Sequence, residues 1–136
     1  MPFSYIGVDH VGIAVADLDS AVLCYTQLGF VCAGFEVLED RGIKVALIET
    51  GSGRIELMAP LRSDSEISGF LDKRGPGMHH LCVAVDSIDQ TLEHMNQTGV
   101  RMADTVAKPG AHNSRVAFVH PKAAGGVLLE LVEHHS

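Results

Sequence analysis

The chain has 136 residues, 46% of them hydrophobic and 20% charged, which is enough apolar material for one domain, or two small halves sharing a core, and too much for a disordered segment. A formal net charge of −7 argues against a nucleic-acid binder, which needs a basic face, yet leaves room for an anionic small molecule held by a few local cations. No apolar run approaches the roughly 18 residues of a membrane span, no leader pattern opens the sequence, and three cysteines (Cys24, Cys32, Cys82) without CxxC spacing suit a reducing cytoplasm better than a disulfide framework.

Period and punctuation predict the elements in chain order. Residues 6–15 read as a strand and 18–28 as a helix, which Asp17 can cap and which ends at Gly29, a residue suited to the position just past a helix. Three short strands follow at about 31–38, 43–49 and 54–58, the last two joined by the turn Thr50-Gly51-Ser52-Gly53. Ser63-Asp64-Ser65-Glu66 with Ile67, Phe70 and Leu71 reads as a capped helical turn inside a linker over 61–76, which Arg74-Gly75-Pro76-Gly77 closes. The pattern then starts again: a strand over 78–86, a helix over 88–98 opened by Ser87 with Gln90 as a capping box, and strands at about 101–105, 114–119 and 126–133. This order predicts an α+β fold of two βαβββ modules, about 5–60 and 77–134, within one domain spanning 1–136.

The second half repeats the first in its residues as well as its elements. Asp9-His10-Val11-Gly12-Ile13-Ala14-Val15 returns 70 positions later as His79-His80-Leu81-Cys82-Val83-Ala84-Val85, and Ile55-Glu56-Leu57 is answered by Leu129-Glu130-Leu131. Side chains alternate along a strand, so Val11, Ile13 and Val15 share a face suited to packing on a helix, while His10, Gly12 and Ala14 share the other. Leu81, Val83 and Val85 against His80, Cys82 and Ala84 repeat this division. Glu56 and Glu130, each flanked by apolar residues, point away from the helix face and need a partner there. If a pseudo-twofold axis relates the halves, two imidazoles and two carboxylates converge as the shell of one divalent ion. A single strand histidine is usually a hydrogen-bonded structural residue; a duplicated His with a duplicated Glu points to a ligand set. His79 shares its face with Leu81 and falls outside the set, Cys82 serves as a small hydrophobe, His94 sits on a helix, and His134 and His135 are expected to be solvated.

These residues resemble the vicinal oxygen chelate (glyoxalase/bleomycin resistance/dioxygenase) superfamily over nearly the whole chain. Within it they are similar to the methylmalonyl-CoA epimerase family through Asp9–Val15, Ile55–Leu61, Gly77–His80, Lys108-Pro109-Gly110-Ala111-His112, Val116–Lys122 and Gly125–Leu131. The resemblance implies an eight-stranded, cup-shaped mixed sheet around a metal site with ligands His10, Glu56, His80 and Glu130. It implies one divalent metal ion per chain, cobalt by family expectation with manganese, nickel or zinc also accepted by such ligands, and a homodimer. It also implies an isomerase that interconverts the R and S forms of methylmalonyl-CoA by α-proton abstraction through a metal-stabilised enolate. Inversion needs two bases or one mobile one. Some members carry a Glu base where this chain has Val45, so Glu130 and Glu56 become the catalytic candidates; Glu49 has the same strand parity but lies by the turn. Lys108, Arg115 and Lys122 are the candidate substrate-binding cations for the carboxylate or the CoA phosphates, and Asn113 stands where many members have Gly. A glyoxalase I-type lactoylglutathione lyase would have the same ligand set, but Ala14 replaces its usual Arg and His120-Pro121-Lys122 its Asp-Pro-Asp-Gly-type turn. A non-catalytic small-molecule binder of the same fold would not need four intact ligands.

Overall fold

The structure, a computed structural model, describes residues 2–135. Its elements run β1 (Tyr5–Ala14), α1 (Leu18–Gln27), β2 (Val31–Leu38), β3 (Ile43–Glu49), β4 (Arg54–Pro60), α2 (Glu66–Arg74), β5 (Gly77–Val85), α3 (Ile88–Gln97), β6 (Lys108–Pro109), β7 (Arg115–Val119) and β8 (Leu129–Glu133). Eight strands in two βαβββ modules are present, seven of them close to their expected places, with parallel and antiparallel pairing mixed in each. The chain divides into two compact units, one of His10–His79 and one of the residues up to Asp9 with those from His80 onward.

In the first unit the strand order is β2–β3–β4–β1, with β4 parallel to β1 and antiparallel to β3. Asp17 caps α1 by accepting from the Asp19 and Ser20 N–H groups, and Gly29 follows the helix with φ 97°, a conformation costly for any residue with a Cβ. Ile13 and Val15 pack with Leu18, Val22 and Tyr25 of α1 and with Ile48 and Leu57, as alternation predicts. On the opposite face Ala14, Ile43, Val45 and Met58 are covered by Ile67, Phe70 and Leu71. The segment expected to be a linker therefore holds a working helix. Ser65 caps α2 at the Ser68 N–H, and Glu66 ties it to Arg41 in the turn before β3.

In the second unit the order is β5–β8–β7–β6. Ser87 caps α3 at the Gln90 N–H, and the Ile88 N–H donates to the Glu133 carboxylate at 2.7 Å. Val85, Ile88, Leu92, Met95, Val119 and Leu131 form the core, and Phe3 completes it. Burial of that one ring is worth about 2 kcal/mol, so the start of the chain helps hold a unit that is otherwise built from its second half. The strand expected at 101–105 does not form. Only a bridge between Met102 and Val119 remains, because the Ala103 and Asp104 N–H groups share one acceptor, the Phe118 carbonyl, and the Asp104 carboxylate takes the Phe118 N–H. With those ladder groups used locally, the edge strand shrinks to Lys108–Pro109, where a proline is tolerated. The last strand starts at Leu129 and not at 126, after Gly125 and Gly126 turn the chain at φ 66° and 93°.

Candidate metal centre

Each unit contributes one buried histidine beside one carboxylate. On β1, His10 is 7% exposed, and its Nδ1 lies 3.5 Å from Glu56 Oε2 on the neighbouring β4. Gly12 and Leu47 flank Glu56 in register, so the β1 residue directly beside it carries no side chain. Arg54, two residues earlier and on the same face of β4, donates from Nε to the same Glu56 oxygen at 2.8 Å. On β5, His80 is 5% exposed and its Nε2 lies 3.2 Å from Glu130 Oε1 on the adjacent β8. Cys82 and Phe118 flank Glu130 in register, and the Phe118 ring meets His80 edge to face with centroids 6.2 Å apart.

These separations suit a bound cation. Two ligand atoms each about 2.1 Å from one ion, at angles between octahedral and tetrahedral, lie roughly 3.0–3.4 Å apart. The pair in the second unit falls inside that range and the pair in the first just outside it. The donor set, imidazole nitrogen with carboxylate oxygen, fits a borderline divalent metal and leaves a calcium-type all-oxygen site aside.

The three expected substrate cations have different surroundings. Lys108 shares the face of Val116, Phe118 and Glu130; its Nζ lies 5.4 Å over the Phe118 ring and 3.5 Å from Asp104. Arg115 has the opposite parity and forms a two-bonded pair with Asp89 in the first turn of α3, both contacts at 2.9 Å. That guanidinium holds the Asp89 carboxyl below the usual range, and the carboxylate in turn raises Arg115. Lys122 lies in a short 3₁₀ turn whose cap is His120, where Nδ1 accepts from the Lys122 N–H. Burial, then the Arg101 and Lys122 charges, lower the His120 pKa. Lys108 and Arg115 also flank a cleft of about 400 Å³, with Pro109, Asn113, Ser114 and His135 in its walls.

The tight loop beside that cleft explains part of the 108–112 signature. A Cβ on Gly110 would fall 2.6 Å from Ser114 Oγ and 2.8 Å from Val116. His112 and Asn113 both take left-handed backbone (φ 56° and 61°), which glycine adopts freely and asparagine tolerates, so Asn113 keeps the loop that glycine would allow.

Other residues singled out from sequence also have places. Val45 is 2% exposed in the α2-covered core, and Glu49 is exposed opposite Arg54. His79 packs edge to face on Phe70 of α2 at 5.1 Å, a structural contact. His134 is exposed, as expected, and its Nε2 also lies 2.6 Å from Asp9, a half-buried acid on β1. Two residues beside the carboxylates, Arg54 and Phe118, and one acid across from Val45, Glu36, were missed. Arg54 was readable, since it stands two positions before Glu56 on one strand face. Phe118 and Glu36 were not, because only strand register places Phe118 beside Glu130 and Glu36 opposite Val45, the latter beyond a register shift at Cys32/Gly34.

The Glyoxalase/Bleomycin resistance protein/Dioxygenase superfamily profile matches residues 9–118. A protein named methylmalonyl-CoA epimerase, mitochondrial, from Mus musculus is 40% identical over 126 residues, covering 91% of this chain and 71% of that relative. The crystal structure of methylmalonyl-CoA epimerase from Mycobacterium tuberculosis is similar at 46% identity and a TM-score of 0.89, over 97% of this chain and 90% of that one. A methylmalonyl-CoA epimerase solved in complex with methylmalonyl-CoA and NH4+ is similar at 34% identity and a TM-score of 0.87, over 98% and 97%.

Proposed function

Because the chain belongs to the glyoxalase/bleomycin resistance protein/dioxygenase superfamily, with methylmalonyl-CoA epimerases as its relatives, we propose that it is an isomerase that interconverts R- and S-methylmalonyl-CoA by moving the α-proton at a single divalent metal. The observation that carries the reading is the duplicated pairing of a buried imidazole with a carboxylate at 3.2 and 3.5 Å. His10, Glu56, His80 and Glu130 would hold the ion, cobalt being the family expectation. When bound, it supplies Lewis-acid stabilisation of charge developing on the acyl group, worth several kcal/mol.

The chain's own residues supply the rest. Glu130, between Cys82 and Phe118 and with His80 Nε2 at 3.2 Å, would take the α-proton on one face. Glu56 serves the opposite face of the α-carbon, as inversion requires a second group. The substrate's anionic groups fall to the cations of the signature stretch, Lys108, Arg115 and Lys122. Lys108 comes first because it shares the ligand face, whereas Arg115 is committed to Asp89. The protein works as a single domain over 1–136, as a homodimer and in the cytoplasm; no helix among the described residues is long and apolar enough to cross a membrane. The test is exchange of the α-proton of methylmalonyl-CoA for deuterium, followed by NMR with and without chelator. Exchange that stops when metal is stripped and returns with Co(II) is expected. An inert protein with full metal content would end the reading.

A further inference from the structure

We infer that Arg54 is a charge-balancing and positioning residue, which holds Glu56 in place and supplies the positive charge that allows a second carboxylate to stand in the ligand set while an anionic acyl group binds. The inference rests on the epimerase reading for the acyl group and on this chain's own geometry for the residue. Two carboxylates and two neutral imidazoles cancel the charge of a divalent ion, so a ligand with a carboxylate of its own would meet a centre with nothing left to attract it. The guanidinium changes that sum. Its Nε lies 2.8 Å from Glu56 Oε2, with Arg54 29% exposed and Glu56 14% exposed, so the pair is only partly screened by solvent. Register sets Arg54 directly across from His10 on β1, within reach of both ligands of the first unit. The second unit has no such device in sequence: the residue two before Glu130 is Leu128.

Arg54 should therefore compete slightly with metal for Glu56 and assist the anionic substrate, two effects of opposite sign that a merely structural arginine would not produce. The experiment measures Co(II) isotherms on metal-stripped wild type, Arg54→Ala, Arg54→Lys, Glu56→Gln and the Arg54→Ala/Glu56→Gln double variant, then methylmalonyl-CoA isotherms on the Co(II)-loaded proteins. Arg54→Ala is expected to bind Co(II) as tightly as wild type or tighter, and methylmalonyl-CoA about tenfold more weakly, the size of one partly screened charge. Arg54→Lys, which keeps the charge, should recover most of that loss. In the Glu56→Gln background, where the ion keeps one uncancelled positive charge, the effect of Arg54→Ala should shrink to within about threefold. An undiminished loss in the double variant, or unchanged acyl-CoA binding in Arg54→Ala, would overturn the inference. Absence of α-proton exchange in wild type would overturn the epimerase reading alone, since these isotherms need no turnover.

Discussion

Glu56 and Glu130 hold equivalent places, each on the last strand of its module and beside the strand that carries its histidine. Glu56 stands between Gly12 and Leu47 with a guanidinium on its oxygen, whereas Glu130 stands between Cys82 and the Phe118 ring. A guanidinium on a carboxylate oxygen lowers its basicity, which sets Glu56 apart. Duplication of a scaffold therefore leaves its two carboxylates with different neighbours, Arg54 on the same strand as Glu56 and Phe118 on the strand beside Glu130.

The largest effect expected is one that the two modules share. His10→Ala and His80→Ala should each cost more metal affinity than the roughly 10–100-fold lost with an outer-shell partner, measured as metal content after dialysis. His79→Ala, which removes the edge contact to Phe70, should keep its metal and lose about 1 kcal/mol of stability. A full metal load in His80→Ala would remove the second unit from the ligand set.

Next come the carboxylates, where the modules should part. Glu130→Gln is expected to lower epimerisation about 10²–10⁴-fold with metal retained, the usual contribution of a positioned base. Glu56→Gln, which removes the proposed group for the opposite face, should lower epimerisation about 10²-fold, the low end for a positioned base, because Arg54 already weakens Glu56 as one. Wild-type turnover in metal-loaded Glu130→Gln would direct the search to Glu36, the acid opposite Val45.

The cations of the second module give a smaller contrast. Lys108→Ala should raise the KM for methylmalonyl-CoA about five- to tenfold, as loss of a charge-assisted contact would. Arg115→Ala should act first on the start of α3, as faster amide exchange at Asp89 and Gln90. Equal KM changes in the two variants would mean that parity does not decide which cation the substrate meets.

Acid should separate the modules least, and in a definite direction. Both Asp89 and His120 have folded pKa values below their ordinary ones, so each contributes stability that is complete above the unfolded value and lost as pH falls through the folded one. For His120 the loss lies below about pH 6.5, as protonation of Nδ1 removes the acceptor of the Lys122 N–H; for Asp89 it lies below about pH 3.8. Amide exchange over 120–124 at pH 5 and pH 7 should show earlier opening at pH 5. Equal protection would show that the cap contributes nothing.

The sequence by itself determined the modules, the helix caps and the two faces of β1 and β5. Each of these is local: a period of two, a cap three residues from its donor, or a repeat comparable by inspection. Val31–Leu38 and Ile43–Glu49 match their expected bounds, since turn residues close both ends. Tertiary structure decided what depends on which strands become neighbours. It moved Phe3 into the core of the second unit, extended the capped turn of the linker into α2 over Ala14 and Val45, put the edge strand at Lys108–Pro109 in place of 101–105, and drew His134 onto Asp9. It also placed Phe118 beside Glu130 and Glu36 across from Val45. The physical reason is common to all of them. Alternation fixes the face on which a side chain stands, but register and pairing fix what stands beside it, and those are set by packing across the whole sheet, where a single bulge shifts every later neighbour.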